Sequence, residues 1–197
     1  MDPALEKVLT GGGRPRAVVL VEGVSDQRAL EALAMRRGRN LEAEGVVVVP
    51  IGGATAIGHF LQHLGPGGLG LRLAGLCDAG EEGGFRRALE RSGLGTALTR
   101  AGMEALGFHV CVRDLEDELI RSLGAARVEQ VVHAQGELAS FRTFQGQPGW
   151  QGRSREEQLR RFLGTRGGRK INYARLLVDV LDLSRVPRPL DRLLAHL

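Results

Sequence analysis

The chain has 197 residues, 43% of them hydrophobic and 25% charged, enough to bury one good core with an appendage and neither disordered nor fibrous in composition. Two cysteines, Cys77 and Cys111, sit inside apolar stretches, which argues against a disulfide framework or a cysteine metal site and fits a reducing compartment. The formal charge of +4 and pI near 9.8 permit binding to phosphate backbones, although nearly all of the basic charge is arginine, with Lys7 and Lys170 the only lysines.

The opening MDPALEKVLTGGG lacks the long apolar core of a secretory leader, and no apolar run approaches a membrane span, so a cytoplasmic protein is expected. Residues 1–15 read as a lead. Residues 16 to 22, RAVVLVE, form a β-branched run ending at Gly23, the pattern of a strand buried on both faces. Ser25 is a candidate cap for a helix with Ala29, Leu30, Leu33 and Ala34 at helical spacing, which Gly38 stops. VVVVP at 46 to 50 predicts a second buried strand, and Gly52-Gly53 precedes an amphipathic helix carrying Ile57, Phe60, Leu61 and Leu64.

A third strand, Leu71 to Cys77, runs into Asp78, and helical stretches follow at about 85 to 92 and 97 to 106. Phe108 to Val112 predicts a fourth strand ending at Asp114, the expected cap of LEDELIRSL. Strands alternating with helices imply a mainly parallel α/β sheet covered on both faces over residues 16–124, with its site at the carboxyl ends of the strands. From 125 to 197 the strand pattern gives way to a helical extension, with helices expected at 125 to 134, 137 to 144, 154 to 164, 169 to 182 and 189 to 196.

Three predicted strands end in carboxylates: Glu22 with Asp26, Asp78 with Glu81 and Glu82, and Asp114 with Glu116. Each alone reads equally as a helix cap or a solvated loop charge. Glu22 resists that reading, because it directly follows a buried apolar run, where an idle charge is expensive. Acids brought to one sheet edge repel unless a cation offsets them, which points to Mg²⁺ or Mn²⁺ on oxygen ligands. Two such ions, typically about 3.5 to 4 Å apart, serve phosphodiester chemistry. Arg153, Arg155, Arg160, Arg161, Arg166 and Arg169 form the candidate phosphate-contacting surface, diluted by Glu156 and Glu157. His59 and His63 lack a third partner, and Phe141, Phe144 and Trp150 fit a helical lid as well as base stacking.

VVLVEGVSDQRAL resembles the first motif of the TOPRIM fold found in topoisomerases, primases and OLD-family (overcoming lysogenization defect) nucleases. IGGATAIGHF, LCDAGEE and DLEDELI are similar to the later segments of the OLD-family TOPRIM domain. The resemblance implies metal ligation by Glu22, Asp26, Asp78 and Glu116, with Glu22 and Lys170 catalytic. It implies cleavage or transfer at DNA phosphodiesters. Where the family has Asp-x-Asp the chain has Asp78-Ala79-Gly80, so a second acid must come from Glu81 or Glu82, or one metal site is weak. No Walker A sequence is present, whereas OLD nucleases carry an ATPase domain. Three functions follow: a metal-dependent DNA nuclease, a non-catalytic module binding nucleic acid or a separately encoded ATPase, or an enzyme acting on structured RNA. A homodimer is a further expectation.

Overall fold

The computed structural model describes residues 5, 6, 8, 13–165 and 167–197. Its strands are β1 (Ala17–Val21), β2 (Val46–Pro50), β3 (Arg72–Cys77) and β4 (Phe108–Val110), joined in one parallel sheet of order β2-β1-β3-β4. β1 shows why the sequence reads as an unbroken apolar run. Ala17, Val19 and Val21 enter one core while Val18 and Leu20 enter the other, so side chains alternating across the pleat find no solvent on either face.

The helices divide between these cores. On one face lie α2 (Ile57–Leu64), α3 (Glu82–Arg91) and α4 (Arg100–Ala105), contributing Phe60, Phe85 and Met103. On the other lies α1 (Val24–Arg36), covered by the carboxyl-terminal helices α5 (Leu115–Leu123), α6 (Ala125–Ala134), α7 (Leu138–Gln145), α8 (Arg155–Leu163), α9 (Gly167–Asp179) and α10 (Arg188–His196). α9 packs along α1, and the Arg36 guanidinium of α1 donates to the Val178 carbonyl at 2.8 Å. The helical extension thus completes the core on the α1 face.

Several boundaries differ from expectation for local reasons. Ser25 does not cap α1: Gly23 is the cap residue, and Asp26, in the first turn, accepts the Gly23 N–H at 2.8 Å. α3 begins at Glu82, because Gly83 and Gly84 are tolerated within it, and α4 waits until Arg100, after Thr99 accepts the Gly102 N–H at 3.1 Å. Asp114 caps α5 as expected, accepting the Asp117 N–H at 2.8 Å. Phe141 and Phe144 are core residues, with partly buried Trp150 stacked on Phe144 at 5.1 Å, the packing expected of a helical lid.

Gly75 permits the closest approach in the sheet. A Cβ there would lie 2.7 Å from the Phe108 ring and 2.8 Å from the Leu20 carbonyl oxygen, so both β4 and β1 would have to move. Gly75→Ala is expected to destabilise the protein by about 2–3 kcal/mol, as overpacked cores do. A lower urea midpoint at an unchanged slope is the result that checks this.

Candidate metal and nucleic-acid site

Parallel pairing aligns Val21 of β1 with Leu76 of β3, so the chain leaves both strands at the same edge. β2 lies on one side of β1 and β3 on the other, which makes that edge the point where successive connections diverge and a crevice opens. Glu22 follows β1 and Asp78 follows β3. The Asp78 N–H donates to Glu22 Oε1 at 2.7 Å, locking the two loops together. The loop after β2 closes the third side: Gly53 donates to the Glu22 carbonyl at 3.1 Å from φ 120°, a backbone conformation that glycine alone adopts readily.

Asp26 is 8% exposed. Burial raises its carboxyl to about 6; the Gly23 N–H opposes that rise, and Glu116 adds to it. Asp78 is raised further, to about 8, by burial and then by Glu22, Asp26 and Asp114. Burial also raises Glu22, against the pull of the Asp78 N–H, and raises Glu116. Glu116, in the first turn of α5, places Oε2 3.2 Å from the Lys170 ammonium of α9, while its Oε1 is buried with no hydrogen-bond partner. Burial lowers the Lys170 pKa, but Glu116 and Asp26 outweigh it and the net shift is upward. Four acids therefore crowd one cation. Among the described residues no three carboxylate, imidazole or thiolate side chains already close on a common point.

Other sequence candidates lie elsewhere. Glu82 does not join the cluster: the turn Ala79–Glu81 carries it to α3, where it pairs with Arg100, and Glu81 is the neighbour that raises Glu22. At Gly80 no atom would lie within 4 Å of a Cβ, so the place of the missing acid is open. The arginines are not one cationic surface. Arg169 is 9% exposed, forked onto Glu137 and seated 4.0 Å over the Phe162 ring, so as placed it is a structural clamp and not a strand contact. Arg155 pairs with Glu129 at 2.8 Å. Arg160 donates to Asp114 at 2.6 Å, which brings it to the acidic edge. Arg153 and Arg161 are exposed and have no side-chain partner among the described residues, and Arg166 lies outside those residues.

The raised acids fix the sign of a pH dependence. Their folded pKa values exceed the ordinary 3.8, so the stability they contribute is full below about pH 4 and is lost as pH rises through about 6 and 8. The metal-free protein is therefore expected to lose on the order of 5 °C in Tm between about pH 5 and about pH 8.5. Mn²⁺, which prefers the ionised acids, is expected to restore more of it at the higher pH. Thermal scans with Mn²⁺ or a chelator measure both.

Residues 15–79 match the family model for the overcoming lysogenization defect protein-like TOPRIM domain, a span that includes Glu22, Asp26 and Asp78. Among solved structures, the carboxyl-terminal region of the Xanthomonas campestris pv. campestris OLD protein superposes with TM-score 0.72 at 22% identity, over 92% of this chain and 91% of that one. The corresponding region of the Burkholderia pseudomallei OLD protein gives 0.72 at 18%, over 92% and 96%. At such identity the likeness is one of fold. Comparison with curated proteins found no match.

Proposed function

We propose, from the premise that residues 15–79 are an OLD-like TOPRIM domain and that the chain has the fold of OLD carboxyl-terminal regions, that it is a divalent-metal-dependent nuclease acting on DNA phosphodiesters. One observation carries the reading. Glu22 and Asp78 meet at the ends of adjacent central strands, with Asp26, Glu116 and Lys170 gathered around them and their acids held above the ordinary carboxylate range.

The residues fit a hard cation. A buried, unpartnered carboxylate oxygen on Glu116 is a ligand without a proton donor, and mutual repulsion among the acids is what a divalent ion relieves. Glu22, Asp26, Asp78 and Glu116 would hold Mg²⁺ or Mn²⁺, in one or two sites. When bound, such an ion supplies Lewis-acid stabilisation of charge on phosphate oxygens. Lys170, 39% exposed and tethered by Glu116, presents its ammonium beside that position, where charge developing on the phosphate meets a fixed cation. Arg160, held by Asp114, sets a second cation at the same edge. Glu22 keeps its carboxylate oriented through the Asp78 N–H.

The open space at Gly80 favours a second reading, a module that binds metal and nucleic acid or a separately encoded ATPase without turnover. Nicking of supercoiled plasmid by the purified chain, dependent on Mn²⁺ or Mg²⁺ and stopped by a chelator, is the expected result. Calorimetric Mn²⁺ binding with no cleavage of plasmid, alone or with an ATPase partner, would favour the second reading, and cleavage of structured RNA alone would reassign the substrate. Among the described residues no helix is long and apolar enough to cross a membrane.

A further inference from the structure

The loop after β4 presents two outward side chains between two buried ones. Cys111 is 0% exposed and Asp114 7%, while Val112 is 64% exposed and Arg113 is exposed. The backbone there is pinned on both sides. The Val112 N–H donates to Glu118 Oε1 at 2.7 Å, and the Arg113 carbonyl accepts the Ala79 N–H at 3.1 Å, so the turn is tied directly to the residue after Asp78. An exposed valine or arginine on a free loop would mean little. Here the two sit on a fixed turn at the site's edge.

The acids nearby leave Arg113 free. Asp114 pairs with Arg160, Glu116 with Lys170, Glu22 with the Asp78 N–H and Asp26 with the Gly23 N–H, and among the described residues neither these acids nor Asp78 pair with Arg113. Among the described residues the Arg113 guanidinium has no ion pair or hydrogen bond, although it is next in sequence to one of those acids. An arginine whose backbone is fixed beside an acidic edge, and whose guanidinium has no acid partner, leaves that guanidinium available to an incoming phosphate, which it can grip through two parallel N–H groups.

We propose that the Val112–Arg113 turn is the contact for the strand flanking the scissile bond, Arg113 taking a backbone phosphate and Val112 packing against the adjoining sugar. The proposal rests on the nuclease reading and extends it to a strand-binding subsite outside the acid cluster. Because phosphate contacts position a strand without reading its sequence, this subsite sets register along the backbone and adds no base preference.

The test is fluorescence anisotropy of a labelled DNA duplex with the full chain in Ca²⁺, repeated over a salt series, beside plasmid nicking in Mn²⁺. Arg113→Ala is expected to weaken binding about tenfold and to lower the salt slope by about 0.9, one phosphate contact. Arg113→Lys should restore the slope but not all of the affinity, since a point charge replaces a fork. Val112→Ser should weaken binding a few-fold at unchanged slope. Wild-type affinity and slope in Arg113→Ala, in a wild type that binds and nicks DNA, would overturn the subsite and leave the nuclease reading standing. A wild type that neither binds nor nicks would remove both.

Discussion

Glu22→Gln and Asp78→Asn are each expected to lower Mn²⁺-dependent nicking by more than about 100-fold while leaving the metal-free protein as stable as the wild type or more so. The first half follows from ligand chemistry. A carboxamide offers a hard cation a neutral oxygen in place of an anionic one, and even residues that merely orient metal ligands are worth about 10- to 100-fold. The second half follows from electrostatics. Asp78 is pushed up to about 8 by burial and by neighbouring acids, so at neutral pH folding must protonate a carboxyl that the unfolded chain leaves ionised, which works against the folded state. Glu22 accepts the Asp78 N–H at 2.7 Å, and a glutamine oxygen can keep that bond. Removing a repelling charge while retaining its one hydrogen bond should raise the metal-free Tm by on the order of 2–4 °C at about pH 8. Loss of cleavage with gain of stability is the signature of an acid kept for binding a cation, since a residue needed for the fold would lose both together. Unchanged cleavage in both variants would place the reaction away from this edge.

The sheet and the site differ in how far the sequence discloses them. β1 is legible because burial on both faces leaves no polar position in Ala17–Val21, and Glu22 stands out because a charge ends that run. Parallel strands with intervening helices then oblige Glu22, Asp78 and Asp114 to emerge at one edge, so their meeting is a consequence of topology. The arginines illustrate the opposite case. Arg155, Arg160 and Arg169 look alike along the chain, yet their partners are Glu129, Asp114 and Glu137, which lie 26, 46 and 32 residues earlier. Proximity in sequence could not separate a clamp from a surface cation, because the distinction is made by helix packing. Arg113 was hidden for a related reason. Its role depends on a backbone bond from Ala79 that holds the loop, and on no neighbouring acid pairing with it, neither of which leaves a pattern in residue order.

Glu82 shows a limit of turn geometry. Within LCDAGEE, Glu82 follows Asp78 by four residues and Glu81 by one, so residue order offers both acids as partners of Asp78. The helical turn Ala79–Glu81 rotates it onto α3 and into the reach of Arg100. Glu81, one residue earlier, stays near enough to raise Glu22. A single residue of phase in a tight turn therefore decides which acid is drawn off to Arg100, and residue order alone does not give that phase.

Lys170→Met should separate the cation from the acids it accompanies. Catalysis is expected to fall by about 100-fold or more in kcat with little change in KM, the size and pattern associated with losing one fixed donor to charge that develops at the phosphate. Stability should move opposite to Glu22→Gln. Glu116 is 6% exposed, its Oε1 has no partner, and Lys170 at 3.2 Å is the cation on its other oxygen. Without the ammonium the acid is buried unpaired, which is worse than removing both charges. The metal-free Tm of Lys170→Met is therefore expected to drop by on the order of 3 °C, and Mn²⁺ to recover more of that loss than it adds to the wild type. Lys170→Arg should keep the stability, because a cation still faces Glu116, but recover activity only in part, because the bulkier planar fork cannot occupy the place of a compact ammonium. If Lys170→Met nicks DNA at the wild-type rate and loses only Tm, Lys170 is a counter-charge for Glu116, and stabilisation of the phosphate must be assigned to Arg160, the other cation that the helical extension brings to this edge.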